Sequence, residues 1–153
     1  MEASIESAKI IVVDAQGHIA GRLSSYIAKS LLNGNKVIIV NAEKALLSGS
    51  RSSIMNDYLK KLEIGSVINP RHGPFHPRRP DTILTKIIRG MLPRGKAKGS
   101  EALKRLRVYV GMPEQYKSFE KIKFEDAMAK KPLSFYLTLG ELSSRLGWKR
   151  GLD

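Results

Sequence analysis

IIVVDAQGHIAGRLSSYIAKSLLNGNKVIIV, residues 10–40, decides the fold class of this chain. It opens on Ile10, Ile11, Val12 and Val13, a short β-branched run of the kind found in strands buried on both faces, and the run ends at Asp14. Gly17 and Gly21 follow, and then Ile19, Leu23, Ile27 and Leu31 recur every four residues, the spacing of one helix face, with Gly34 placed to stop the helix. Val37, Ile38, Ile39 and Val40 repeat the buried-strand pattern. Strand, helix and strand within about thirty residues predict a βαβ unit with parallel strands and an α/β fold.

Such a unit places a glycine-bearing turn at a helix N-terminus, the usual phosphate site of dinucleotide enzymes, so a nucleotide-binding enzyme using the Gly17 to Gly21 turn is the alternative to weigh. The spacing Gly17-x-x-x-Gly21 matches neither G-x-G-x-x-G nor a P-loop, although Glu43 falls where a ribose-binding acid would sit. Without a nucleotide, Gly17 makes the turn and Gly21 lets helix and sheet approach.

Working outward, Ser48, Gly49 and Ser50 form a turn, and Ser50 or Ser52 caps a helix running toward Leu62 with Ile54, Tyr58 and Leu62 on its buried side. Residues 64–80 hold four prolines, two glycines, two histidines and three arginines, a composition that predicts an extended, rigid loop. Asp81 or Thr82 caps the next helix, to about Met91. Pro93, Gly95 and Gly99 break the chain before a short helix from Glu101 to Leu106, and Val108, Tyr109 and Val110 read as a further strand. In the remainder, Tyr116, Phe119, Phe124, Phe135 and Tyr136 read as packing residues. Thr138 and Glu141 have capping-box form ahead of a last helix carrying Leu142 and Leu146 and ended by Gly147. The first eight residues read as a loosely held lead.

The chain has 153 residues, 42% of them hydrophobic, which suits a single domain with a core from about 9 to 113 and an extension over 114–153. Lys and Arg number 27 against 14 Asp and Glu, a formal net charge of +13 that asks for a polyanionic partner. No apolar run approaches the roughly 20 residues that span a bilayer, and no signal-peptide pattern opens the chain, so no membrane partner is expected. The absence of cysteine suits a cytoplasmic protein. The charge is concentrated: residues 71–107 carry 11 Lys or Arg against Asp81 and Glu101, a net +9 in 37 residues, which leaves +4 for the other 116. Ile83, Leu84, Ile87, Ile88, Met91 and Leu92 run through that segment at helical spacing and tie the charge to an ordered scaffold.

These residues single out a segment suited to a polyanion, with nucleic acid the leading class. The leading phosphate contacts are Arg71, His72, His76, Arg78, Arg79, Arg89, Arg94, Lys96 and Lys98. Lys86, Lys104, Arg105 and Arg107 rank behind them, and Lys44 and Arg51 extend the patch. Enzymatic constellations are missing. His72 and His76 are four apart, but Gly73, Pro74 and Pro77 oppose a helix there and no carboxylate lies in the loop, so neither metal nor cofactor is expected. No serine sits in a nucleophile elbow, and no small-molecule substrate is expected. A basic module that docks acidic proteins is a third class.

The strings GPFHPRRP (73–80), IIRGMLPRGKAKG (87–99) and LKRLRVYVGMP (103–113) resemble large-subunit ribosomal protein thirteen in its archaeal and eukaryotic form. DAQGHIAGRLSSYIAKSLLNG (14–34) and VIIVNAEKALLSGSR (37–51) resemble the pattern the family also shows in bacteria. The likeness covers residues 11–113 in order, and the short chain resembles archaeal members most. It departs at Ser48 and Arg51, where many members have threonine and lysine. The resemblance implies a three-layer α/β/α fold with a small, mainly parallel sheet. It further implies a non-catalytic structural role on large-subunit ribosomal RNA among neighbouring ribosomal proteins.

Overall fold

The computed structural model describes residues 9–149; the expected lead lies outside them. In chain order come β1 (Ile10–Asp14), α1 (Ala20–Leu32), β2 (Lys36–Val40), β3 (Leu46–Ser48), α2 (Arg51–Glu63) and α3 (Pro80–Met91). α4 (Ala97–Lys104), β4 (Leu106–Val108), β5 (Lys121–Ile122), β6 (Tyr136–Thr138) and α5 (Leu139–Arg145) follow. Strands β1 and β2 pair in parallel with Val12 opposite Ile38, β4 adds outside β2, and β5 adds outside β1, also in parallel. The sheet order is therefore β4-β2-β1-β5, and β3 and β6 form a separate antiparallel pair. The α/β class with a parallel sheet is as the βαβ pattern predicts.

Strand alternation distributes the apolar runs to two sides. Val13, Val37, Ile39 and Leu106 join the main core with Leu23, Ile27 and Leu31 of α1, Ile83, Leu84 and Ile88 of α3, and Leu139 and Leu142 of α5. Val12, Ile38 and Val40 point the other way and are covered by Tyr109, Met112 and Tyr116, around a one-turn 3-10 helix at Glu114–Tyr116. Helices α1, α3, α4 and α5 thus share one side of the sheet, and among the described residues this thin layer covers the other.

Several boundaries differ from the sequence reading. Gly17 does make a turn in the left-handed region (φ 77°), but Gly21 is exposed with open space where a Cβ would stand, so it mediates no close approach. Helix α3 starts at Pro80, with Arg79 in the N-cap position and no side-chain cap; neither Asp81 nor Thr82 fills that role because proline at the first helical position already sets the backbone. On α2 it is Met55 that is buried, while the expected Ile54, Tyr58 and Leu62 are half-buried against the core, and the Ser50 cap accepts from the Ser53 N–H at 3.3 Å. The strand expected at 108–110 sits two residues earlier. Among the aromatics only Tyr136 is fully buried, whereas Phe119 and Phe135 are exposed.

Gly99 is the most instructive difference. It does not break the chain ahead of a helix at Glu101 but lies buried inside α4, because a Cβ at that position would collide with the Pro93 carbonyl. Helix propensity alone favours alanine there by about 1 kcal/mol. Overpacking opposes it, so Gly99→Ala is expected to lower stability by about 1–3 kcal/mol, read as a reduced urea midpoint. A raised midpoint would mean that the Pro93 turn yields freely.

Candidate nucleic-acid interface

The Pro-rich segment is held by its own polar groups. The Asn69 side chain accepts from the Arg71 N–H at 3.0 Å and starts a one-turn 3-10 helix at Pro70–His72, and the Ser66 hydroxyl accepts from the Asn69 N–H at 3.3 Å. His76 donates from Nε2 to the Ile64 carbonyl at 2.7 Å and so closes the loop across its base. Lys86 donates to the Phe75 carbonyl at 3.1 Å and fastens the loop to α3.

Helix α3 buries Ile83, Leu84 and Ile88 and turns a polar stripe outward: Thr82, Thr85, Lys86 and Arg89, at the i, i+3, i+4, i+7 spacing of one helix face. After it, the turn at Gly95 (φ 76°) leaves Arg94 and Lys96 exposed, and Arg94 folds back toward Gly90. Three concavities adjoin along this surface. One of about 420 Å³ lies among Arg89, Arg94, Lys96 and Ser100. A second of about 410 Å³ lies among Phe75, Thr82, Thr85, Lys86, Arg89 and Arg94. A third of about 180 Å³ is lined by Tyr58, Lys61, His76 and Lys86. Arg89 and Arg94 border both larger hollows, and Lys86 links the second to the third. Among the described residues no acid lines any of them.

The sequence-derived cations therefore divide by what they already do. Arg71, His72, Arg89, Arg94, Lys96, Lys98 and Lys104 are exposed, and no other described residue bonds their side chains. Arg79 is held by Asp81 through two hydrogen bonds of 3.1 and 3.0 Å, and Arg78 donates to the Leu146 carbonyl at 3.3 Å, placing a cation at the C-terminal end of α5. Arg105 donates to the Leu31 carbonyl at 2.9 Å and plays the same part for α1, and Arg107 bonds the Lys104 and Leu106 carbonyls. Arg51 stands 3.6 Å from Glu141, and Lys44 is exposed on the one-turn helix after β2; neither lines the groove. Sequence reasoning missed Lys61, Phe75 and the two threonines. The α3 spacing would have found the threonines.

The turn at Gly17 shows why the nucleotide alternative has no room. Ligands of parallel sheets bind outside the carboxyl ends of the strands where the order reverses, here between β1 and β5. That crevice holds the protein's own chain. The Ala127 carbonyl accepts from the Ile19 N–H at 2.8 Å, the Gly17 carbonyl accepts from the Ala129 N–H at 3.0 Å, and the Met128 methyl would stand 3.2 Å from a Cβ at Gly17. Glu43, the would-be ribose acid, accepts from the Gly111 N–H at 2.9 Å instead. His18 is fully buried there, and its Nε2 accepts from the Phe124 N–H at 3.0 Å.

Burial pushes the His18 pKa below its ordinary 6.5, against weaker opposing pulls from the Gln16 backbone and the Asp14 carboxylate. An unfolded chain then takes up the proton before the folded one does. The contribution to stability is fully present above about pH 6.5 and is lost progressively as pH falls below that value and through the lower pKa of the folded state. Melting temperature is therefore expected to drop from neutral pH to mildly acidic pH, and His18→Gln, which keeps an acceptor but cannot titrate, is expected to show a flatter profile. Parallel profiles for the two proteins would exclude His18 as the source.

Comparison with known proteins gives the family. A family model described as Ribosomal protein L13 matches residues 8–115. The chain is 49% identical over 140 residues to "Large ribosomal subunit protein uL13" of Methanosarcina barkeri, covering 90% of this chain and 98% of the relative. It is 44% identical over 147 residues to the protein of that name from Aeropyrum pernix, covering 95% of each. For the Archaeoglobus fulgidus protein the identity is 44% over 140 residues, covering 90% and 88% respectively. A match over most of the chain to a non-catalytic family, on a fold whose nucleotide crevice is filled, leads to one conclusion: the chain belongs to the ribosomal protein L13 family.

Proposed function

We propose that this protein is a non-catalytic constituent of the large ribosomal subunit, and that it binds large-subunit ribosomal RNA along the groove formed by the Pro-rich loop, α3 and the turn before α4. The observation that carries this reading is the run of adjoining hollows lined by Lys86, Arg89, Arg94 and Lys96, with no acid among the described residues that line them. Cations so placed displace counterions from RNA phosphates, and arginine can grip a phosphate with two parallel bonds. Arg71, His72 and Lys98 flank the groove and complete the contact set. Lys104 lies farther along α4, and Lys44 and Arg51 make a secondary patch. Arg78, Arg79 and Arg105 act through the loop and helix ends that they brace, and His76 does so through the loop itself, while Lys86 both fastens the loop and lines the groove.

The groove reads the shape of the RNA backbone, since A-form helices hide their major-groove base edges. The chain acts as one domain on the cytoplasmic ribosome, with other large-subunit proteins as neighbours; among the described residues no helix is long and apolar enough to cross a membrane. The test is filter binding to transcribed archaeal large-subunit ribosomal RNA across a salt series. Affinity is expected to fall by roughly a thousandfold or more between about 50 and 200 mM salt. Affinity that does not respond to salt would overturn the reading.

A further inference from the structure

Phe75 is 78% exposed although its loop is stiffened on either side by Pro74 and Pro77 and its own carbonyl is held by Lys86. It lies on the wall of the hollow of about 410 Å³, opposite the outward stripe of α3, and Arg89 and Arg94 stand on the same rim. We propose that this hollow seats one unpaired nucleotide of the bound RNA, its base laid against the Phe75 ring and its phosphates held by Arg89 and Arg94. The inference rests on the RNA-binding reading above and sharpens it: the groove takes an unstacked base as well as a duplex backbone.

The chemistry of the walls supports a nucleotide. An aromatic face beside guanidinium groups offers the stacking platform and the phosphate grip that single-stranded RNA uses. The Thr82 hydroxyl donates to the Arg79 carbonyl at 2.9 Å and the Thr85 hydroxyl to the Asp81 carbonyl at 2.7 Å. Their protons are spent, so toward the hollow both oxygens are acceptors, suited to a ribose 2′-hydroxyl or an exocyclic amino group. Lys86, Arg89 and Arg94 supply the complementary donors. The volume falls within the roughly 300–1,000 Å³ typical of clefts for small ligands. The platform is preorganised, because a proline-stiffened loop has little freedom left to lose on binding. An acidic protein segment would answer the cations, but it gives no account of an aromatic ring paired with two acceptor hydroxyls.

The experiment uses the full chain with Trp148→Phe, so that Phe75→Trp carries the sole indole. Phe75→Ala is expected to weaken binding to the archaeal large-subunit transcript about five- to 150-fold, the range base–aromatic stacking produces, with the salt slope unchanged. Phe75→Trp is expected to keep the affinity and to lose emission on RNA addition, whereas Phe75→Leu, apolar but unable to stack, behaves as Phe75→Ala does. The ring is exposed, so melting temperatures stay level and folding does not confuse the result. Unchanged affinity in Phe75→Ala, or undiminished emission from Phe75→Trp, overturns the nucleotide seat. If alanine at Arg89 and Arg94 still weakens binding in that case, the RNA-binding reading stands without it; if the parent protein shows no salt-dependent binding, that reading itself has failed.

Discussion

Alanine in place of Arg89, Arg94, Lys96 and Lys98 together is expected to remove about three units from the salt slope and to weaken ribosomal RNA binding roughly a thousandfold near 0.1 M salt. Each phosphate contact contributes about 0.7–0.9 to the slope, and each unit is a factor of ten on going from a 1 M reference to 0.1 M. These four are chosen because none makes a hydrogen bond or ion pair with another described residue, so the protein is expected to melt at its usual temperature. Replacing Arg78, Arg79 and Arg105 makes an informative contrast. Those side chains hold the Leu146 carbonyl, the Asp81 carboxylate and the Leu31 carbonyl, so their loss is expected to cost stability first. Filter binding over a salt series, with calorimetry on the same samples, separates the two groups; an undiminished slope in the fourfold variant would clear the groove of its role.

Ending the chain after Pro113 is expected to abolish the cooperative unfolding transition. The removed segment supplies β5 to the main sheet and Leu137, Leu139, Leu142 and Leu146 to the core. At about 1.5–3 kcal/mol for each buried leucine, the four together rival the 5–15 kcal/mol by which domains of this size are stable. The segment also fills the crevice at the end of β1, and without it the Ile19 N–H and the Gly17 carbonyl lose their partners in the chain. Far-ultraviolet circular dichroism during heating tests this directly. A sharp transition in the shortened chain would show that the βαβ unit and the three helices after it suffice.

What could be read in advance follows from where each structure gets its energy. The βαβ unit was legible because its strands are continuous apolar runs and its helix has a strict apolar repeat, signals that local sequence carries in full. β5 is two residues, Lys121 and Ile122, and owes its existence to the open edge of β1, which no local pattern announces. Gly99 looked like a breaker because glycine usually is one, whereas its reason here is the neighbouring Pro93 carbonyl. The site divides in the same way. Composition located the basic segment, but only the fold shows that Arg105 is committed to a carbonyl 74 residues away and Arg78 to one 68 residues away. Phe75 escaped attention because an isolated aromatic carries no sign of its exposure. His18, a lone histidine beside a glycine, carried none of its burial.

The pairing of β1 with β5 also bears on how the chain is made. Val12 is made well before its partner Lys121, which lies 109 residues later in the chain. Long-range parallel pairing is slow because loop-closure entropy is lost before the contacts repay it. During that wait an early strand keeps one edge open, a template for misassociation. The full basic segment has by then been made, so a nascent chain carries most of its excess positive charge before its sheet is closed. In such a molecule the net charge of +13 favours repulsion between unfinished copies over that interval.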